Sequence, residues 1–74
     1  MSHPELTERQ RDCLRLAAAG LEHREIGRRL HIEGCTVTIH LRGAREQLGA
    51  RNTAHAVAIA VHHGIVTAEH LEDA

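Results

Sequence analysis

The sequence predicts an all-α domain of four short helices, and three observations carry that expectation. Apolar residues recur at helical spacing in four stretches, near about 8–19, 23–30, 34–48 and 52–63. Each stretch stops at a glycine (Gly20, Gly49, Gly64) or at the short His31-Ile32-Glu33 turn. No segment shows the strict alternation of a half-buried strand, and no internal repeat or low-complexity tract interrupts the pattern. At 74 residues the chain has room for one small domain.

Met1 to Leu6 forms a lead-in, where Pro4 discourages an early helix start. Thr7-Glu8-Arg9-Gln10 has the form of a capping box, in which the Thr7 hydroxyl takes one orphan N–H and Gln10 reaches back to another. Cys13, Leu14, Ala17 and Ala18 then lie on one helical face, and Gly20 ends the first helix. In the second helix Ile26 and Leu30 share a face while Arg24, Arg28 and Arg29 lie elsewhere on its surface. Its start is expected to be poorly capped, because Glu22 stands where Ser, Thr or Asp serves better.

The third stretch is the most regular. Val37, Leu41, Ala44 and Leu48 recur at i, i+4, i+7 and i+11, one apolar stripe facing a core. Cys35, Thr38, Ile39, Arg42, Arg45 and Glu46 occupy the other faces. Asn52 or Thr53 caps a last helix whose run Ala54-His55-Ala56-Val57-Ala58-Ile59-Ala60-Val61 is apolar nearly all round. At the end of a small domain one side of such a helix packs inward, and an apolar outer side signals a partner surface. Residues from Thr67 onward are expected to fray.

Composition narrows the function classes. There is no Phe, Tyr or Trp, so the core is aliphatic and the aromatic platforms that stack single-stranded bases are missing. Two cysteines make no disulfide framework, no segment resembles a signal peptide, and the longest apolar run, Ala56 to Val61, falls far short of the roughly 20 residues that span a bilayer. A cytoplasmic setting with no membrane partner is expected. The formal net charge is −1, but it is segregated. Residues 20–52 carry six arginines against four acids, a balance of +2, whereas residues 53–74 carry three acids and no arginine. The basic part is the middle of the chain, and the acidic residues 66–74 follow the domain as a tail.

Two short helices joined by a three- to four-residue turn, the second with a polar outer face, make a helix-turn-helix. The residues Leu6-Thr7-Glu8-Arg9-Gln10, Leu14, Leu16, Gly20-Leu21, Arg24-Glu25-Ile26 and Leu30 open a longer pattern. It continues through Ile32, Thr36-Val37, His40-Leu41, Leu48-Gly49, Arg51-Asn52 and Ala56-Val57. Together these residues resemble the helix-turn-helix domain of the LuxR/FixJ/GerE bacterial transcription regulators, and the length is similar to that of its small stand-alone members. The resemblance implies a tetrahelical domain over 7–65 that binds double-stranded DNA without a cofactor, its third helix in the major groove. Thr38, Ile39 and Arg42 are then expected at base edges. Arg24, Thr36, His40, Arg45 and Asn52 are expected near phosphates. The fourth helix is implied as the contact of a homodimer, through Ala54, Ala58, Val61 and His62. Further implied partners are RNA polymerase or another regulator, and the protein would sit on the nucleoid when bound.

The chemistry fits these roles. Arg42 suits a bidentate contact to guanine, Ile39 a thymine methyl, and Thr36 and Asn52 phosphate oxygens. The chain also departs from the family pattern. Thr38 and Gln47 stand where the family often has a base, Glu33 where it has Ser or Thr, and Arg45 where an aromatic is frequent. His31 stands at a turn position often held by Gly, and a left-handed backbone is better tolerated there by His than by most residues. Fewer cations beside the groove predict weaker DNA binding than is usual for the family.

Other constellations were weighed. Arg28 and Arg29 are expected to pair with nearby acids. Cys13 is a small core residue, and Cys35, in the first turn of the third helix, is an exposed thiol. His55, His62 and His63 lack the carboxylate or cysteine that would complete a metal site, and no metal is expected. No Gly-rich phosphate loop or credible nucleophile–base pair supports an enzyme. Eight histidines predict tighter DNA binding as pH falls from about 7.5 to 5.5. The competing reading is a protein-binding module that heterodimerises with another regulator and inhibits it. Glu33, Thr38, Gln47 and the net charge favour the inhibitor; Thr36, His40, Arg42, Arg45 and the Arg51-Asn52 pair favour DNA.

Overall fold

Helix starts and stops decide where this chain turns, and both are built from short-range chemistry. The computed structural model describes residues 5–71. Five helices follow in order: α1 (Glu8–Ala18), α2 (His23–Leu30), α3 (Gly34–Leu48), α4 (Thr53–His62) and α5 (Ala68–Leu71). The all-helical expectation holds, with no strand among the described residues.

At α1 the Thr7 hydroxyl accepts from the Gln10 N–H at 3.0 Å, and the Gln10 side chain accepts from the Thr7 N–H at 3.0 Å. At α4 the Asn52 side-chain Oδ1 accepts from the His55 N–H at 2.8 Å. The start of α2 is better secured than Glu22 alone suggests. Glu25, three residues on, accepts from the Glu22 N–H at 2.9 Å, the return half of a capping box. Glu33 gives α3 no side-chain cap.

The four longer helices end alike. Gly20, His31, Gly49 and Gly64 all adopt positive φ, at 96°, 62°, 67° and 76°. In each case the next residue donates its N–H to a carbonyl five positions back: Leu21 to Leu16 (3.2 Å), Ile32 to Gly27 (2.9 Å), Ala50 to Arg45 (2.8 Å) and Ile65 to Ala60 (2.8 Å). That bond is the signature of a Schellman stop. The residue that makes it is apolar and half-buried every time. One local device thus closes each helix and pins the following segment to the core.

Helix α1 contacts every other helix, and α2 packs on α3. The core joins Cys13, Leu14 and Leu16 of α1, Ile26 of α2, Val37, Leu41 and Ala44 of α3, and Ala56 and Ala60 of α4. Leu48, last of the predicted stripe, is half-buried at its edge. Gly27 faces the helix-turn-helix corner so closely that a Cβ there would lie 2.5 Å from the Ile32 carbonyl oxygen. The tight turn between α2 and α3 requires that bare backbone.

Three expectations need correction. Leu6 is no mere lead-in, because its side chain is buried in the core. Residues beyond Thr67 do not simply fray: α5 packs against α1. The His70 ring nitrogen Nδ1 accepts from the Thr67 N–H at 2.9 Å, the Arg15 Nε donates to the Ile65 carbonyl at 3.0 Å, and Val66 is fully buried. The core thus extends past Gly64, and one turn of helix is anchored to it. Among the described residues Arg28 and Arg29 make no ion pair, and the one salt bridge there joins Arg9 to Asp12 at 3.7 Å. The acids near them on α2, Glu22 and Glu25, are drawn to the helix start instead.

Candidate nucleic-acid interface

Burial of one face of α3 dictates what the other presents. With Val37, Leu41 and Ala44 turned inward, Cys35, Thr38, Ile39, Arg42 and Glu46 are exposed along the outer face. Ile39, a branched aliphatic side chain, is 55% exposed on this face. The three residues expected at base edges therefore share one surface, Ile39 next to Thr38 and Arg42 one turn on.

Arg24 stands exposed in the first turn of α2. Thr36, His40 and Arg45 are half-buried along the flanks of α3. Asn52 is exposed, but its side-chain Oδ1 is occupied by the cap of α4, which leaves the side-chain N–H groups to donate outward. None of Arg24, Arg42, Arg45 and Arg51 takes part in an ion pair within the described residues, so each guanidinium keeps its charge available to an external anion.

The structure adds a residue that sequence reasoning left without a role. The Nδ1 of His23, at the start of α2, lies 3.0 Å from the Thr38 hydroxyl of α3. That hydroxyl also donates to the Gly34 carbonyl at 3.2 Å. Fifteen residues separate His23 from Thr38, and helical periodicity gives no hint of which exposed side chains meet across a turn. Gly27 carries a signal the sequence does offer, since a glycine inside an eight-residue helix marks close backbone approach.

The thiols differ sharply. Cys13 is wholly inside, and burial, aided by the nearby Asp12 charge, pushes its pKa up to about 11. Cys35 is exposed, its sulfur 3.8 Å from the Glu33 carboxylate.

On α4 the expected partner surface is exposed: Ala54, Ala58, Val61 and His62 face out, while Ala56 and Ala60 are buried on the opposite side. Val61 is 48% exposed, and the rings of His62 and His63 meet edge to face at 5.2 Å.

These features define a helix-turn-helix domain with an exposed second-helix surface and a short turn. Residues 4–60 match the bacterial regulatory proteins of the luxR family, and the chain belongs to that family. It is 44% identical over 61 residues to the transcriptional activator protein BjaR1 of Bradyrhizobium diazoefficiens, a match covering 82% of this chain and 25% of that protein. It is 39% identical over 62 residues to the transcriptional regulatory protein MctR of Rhizobium johnstonii, covering 84% of this chain and 29% of that protein. The chain thus spans under a third of the length of either relative. The family is one of regulators, and no helix among the described residues is long and apolar enough to cross a membrane.

Proposed function

We propose that the chain is a sequence-specific double-stranded DNA-binding regulator of transcription, placing α3 in the major groove and pairing through α4 with a second copy. The observation that carries this reading is the outer face of α3, where Thr38, Ile39 and Arg42 stand exposed opposite a fully buried stripe. Arginines without ion pairs flank that face. In this reading Arg42 takes a guanine edge and Ile39 a thymine methyl. Arg24, Thr36, His40, Arg45 and Asn52 hold phosphates and set register. The DNA-binding unit spans residues 7–65, acts in the cytoplasm, and needs no cofactor.

Binding to labelled duplex DNA, followed by fluorescence anisotropy at two salt concentrations, tests it. Micromolar affinity that falls steeply with salt is expected, because phosphate contacts release counterions. R42A should relax the selected sequence at one position, whereas R24A should weaken all sequences alike and flatten the salt slope.

A second reading is an inhibitor that heterodimerises with another regulator through α4. Glu33 at the start of α3 favours it, since that carboxylate is exposed beside the surface meant for phosphates. Absence of duplex binding at low salt and pH 6, with the fold intact by circular dichroism, would make the inhibitor the better account.

A further inference from the structure

We propose that His23 is a specificity-determining residue of the DNA interface, holding the Thr38 hydroxyl so that Thr38 meets the groove as an apolar, thymine-preferring contact beside Ile39. The inference rests on the DNA-binding reading above and deepens it.

The argument is one of proton counting. A threonine hydroxyl has one proton and two lone pairs. Thr38 Oγ1 lies within hydrogen-bond distance of the Gly34 carbonyl, at 3.2 Å, and of His23 Nδ1, at 3.0 Å. A carbonyl only accepts, so the Thr38 proton goes to Gly34. His23 then satisfies the second contact by donating Nδ1–H to the oxygen. Both bonds are made together only in this arrangement, and either the Nδ1–H tautomer or the imidazolium supplies it.

The consequence is chemical. Most base-edge groups in the major groove are acceptors: guanine O6 and N7, adenine N7 and thymine O4. A Thr38 hydroxyl whose proton is committed to Gly34 cannot donate to any of them. It keeps one lone pair and its methyl group. Thr38 is exposed, and next to it stands Ile39, 55% exposed. Together they offer a small apolar surface, for which the thymine 5-methyl is the matching group in the groove. The His23–Thr38 bond is also the one side-chain-to-side-chain hydrogen bond between α2 and α3 among the described residues. It therefore sets the rotamer of a groove-facing residue from the neighbouring helix.

The test begins with sites selected from a random duplex library by the wild-type protein, followed by affinity for those sites with single thymines replaced by deoxyuridine. Wild type should lose about fourfold when the contacted methyl is removed, the size expected for one buried methyl. T38V keeps the methyl and drops the hydroxyl; it should retain the selected sequence and the deoxyuridine penalty. T38S keeps the hydroxyl and drops the methyl, and should lose the penalty. H23A removes the donor that holds the Thr38 oxygen in place, so the hydroxyl can turn its proton from Gly34 to the groove, and the thymine preference should relax. H23N restores an N–H at nearly the position of Nδ1 and should recover it. A purely structural clamp would change overall affinity or melting temperature without moving the preference at one base. The proposal is overturned if T38S keeps the deoxyuridine penalty while T38V loses it, or if H23A selects the same sequence with the same penalty as wild type. Failure of the DNA-binding reading looks different: the wild-type protein would bind no duplex and select nothing, which removes this inference before any variant is compared.

Discussion

Gly27 and His31 lie four residues apart in one turn, and substitutions there should move stability in opposite directions. His31 holds φ at 62°, a left-handed conformation that costs an L-residue roughly 1–2 kcal/mol. Glycine removes that cost but adds about 0.5–1 kcal/mol of chain entropy to lose on folding. H31G should therefore stabilise the protein by about 0.5 kcal/mol, seen as a higher urea midpoint at unchanged slope. G27A gains about 1 kcal/mol of helix propensity but drives a Cβ to 2.5 Å from the Ile32 carbonyl oxygen. Backbone has to move to relieve that contact, so a net loss of about 2 kcal/mol is expected in the same measurement. The cysteines give a second residue-scale prediction. A thiol reagent should label Cys35 in the native protein and Cys13 only on unfolding. The Cys13 thiol ordinarily ionises near 9.0 and is held neutral to about 11 by burial. Its contribution to stability is complete below the ordinary value and lost as pH rises through the folded one. Unfolding free energies from urea titrations should fall between about pH 9 and 11, by at most about 3 kcal/mol in total, and C13A should show a smaller fall.

At the scale of elements, the repeated left-handed stop sets where helices of eight to fifteen residues end. Short helices are marginal alone, so each is made by its caps and by the apolar residue that follows the stop. Helix α4 then poses the question of its outer face. Ala54, Ala58 and Val61 are small and apolar, and a second copy with the same face would cover them symmetrically. V61E should yield a monomer in sedimentation velocity while leaving helical content intact, because Val61 is half-exposed within one chain. An unaltered sedimentation coefficient would remove α4 as the contact.

For the whole molecule, charge distribution matters more than net charge. The formal charge of the chain is −1, yet residues 20–52 carry six arginines against four acids, while residues 53–74 carry three acids and no arginine. If those arginines meet phosphates, affinity for duplex DNA should fall steeply as salt is added in anisotropy titrations, because each contact releases counterions. A flat salt profile would show that they lie away from the phosphates. Two histidines have a different job: Nδ1 of His55 accepts from the Arg51 N–H at 3.1 Å and Nδ1 of His70 from the Thr67 N–H at 2.9 Å.

Much of this fold was legible in the sequence because its determinants are local. Thr7 with Gln10, the stripe Val37-Leu41-Ala44 and the glycines at 20, 49 and 64 each act within one or two turns of helix, and the left-handed tolerance of His31 is a property of one residue. The location of the candidate interface followed from the same periodicity, since a helix with one buried face must expose the other. Tertiary structure alone decided the remainder. That Leu6 and Val66 close the core, that α5 docks on α1, and that His23 takes hold of Thr38 all depend on which surfaces meet when α1 collects the other helices around it. Periodicity tells which side of a helix turns inward; it says nothing of which neighbour waits there, because that contact is made by residues distant in the chain and adjacent only once it has folded.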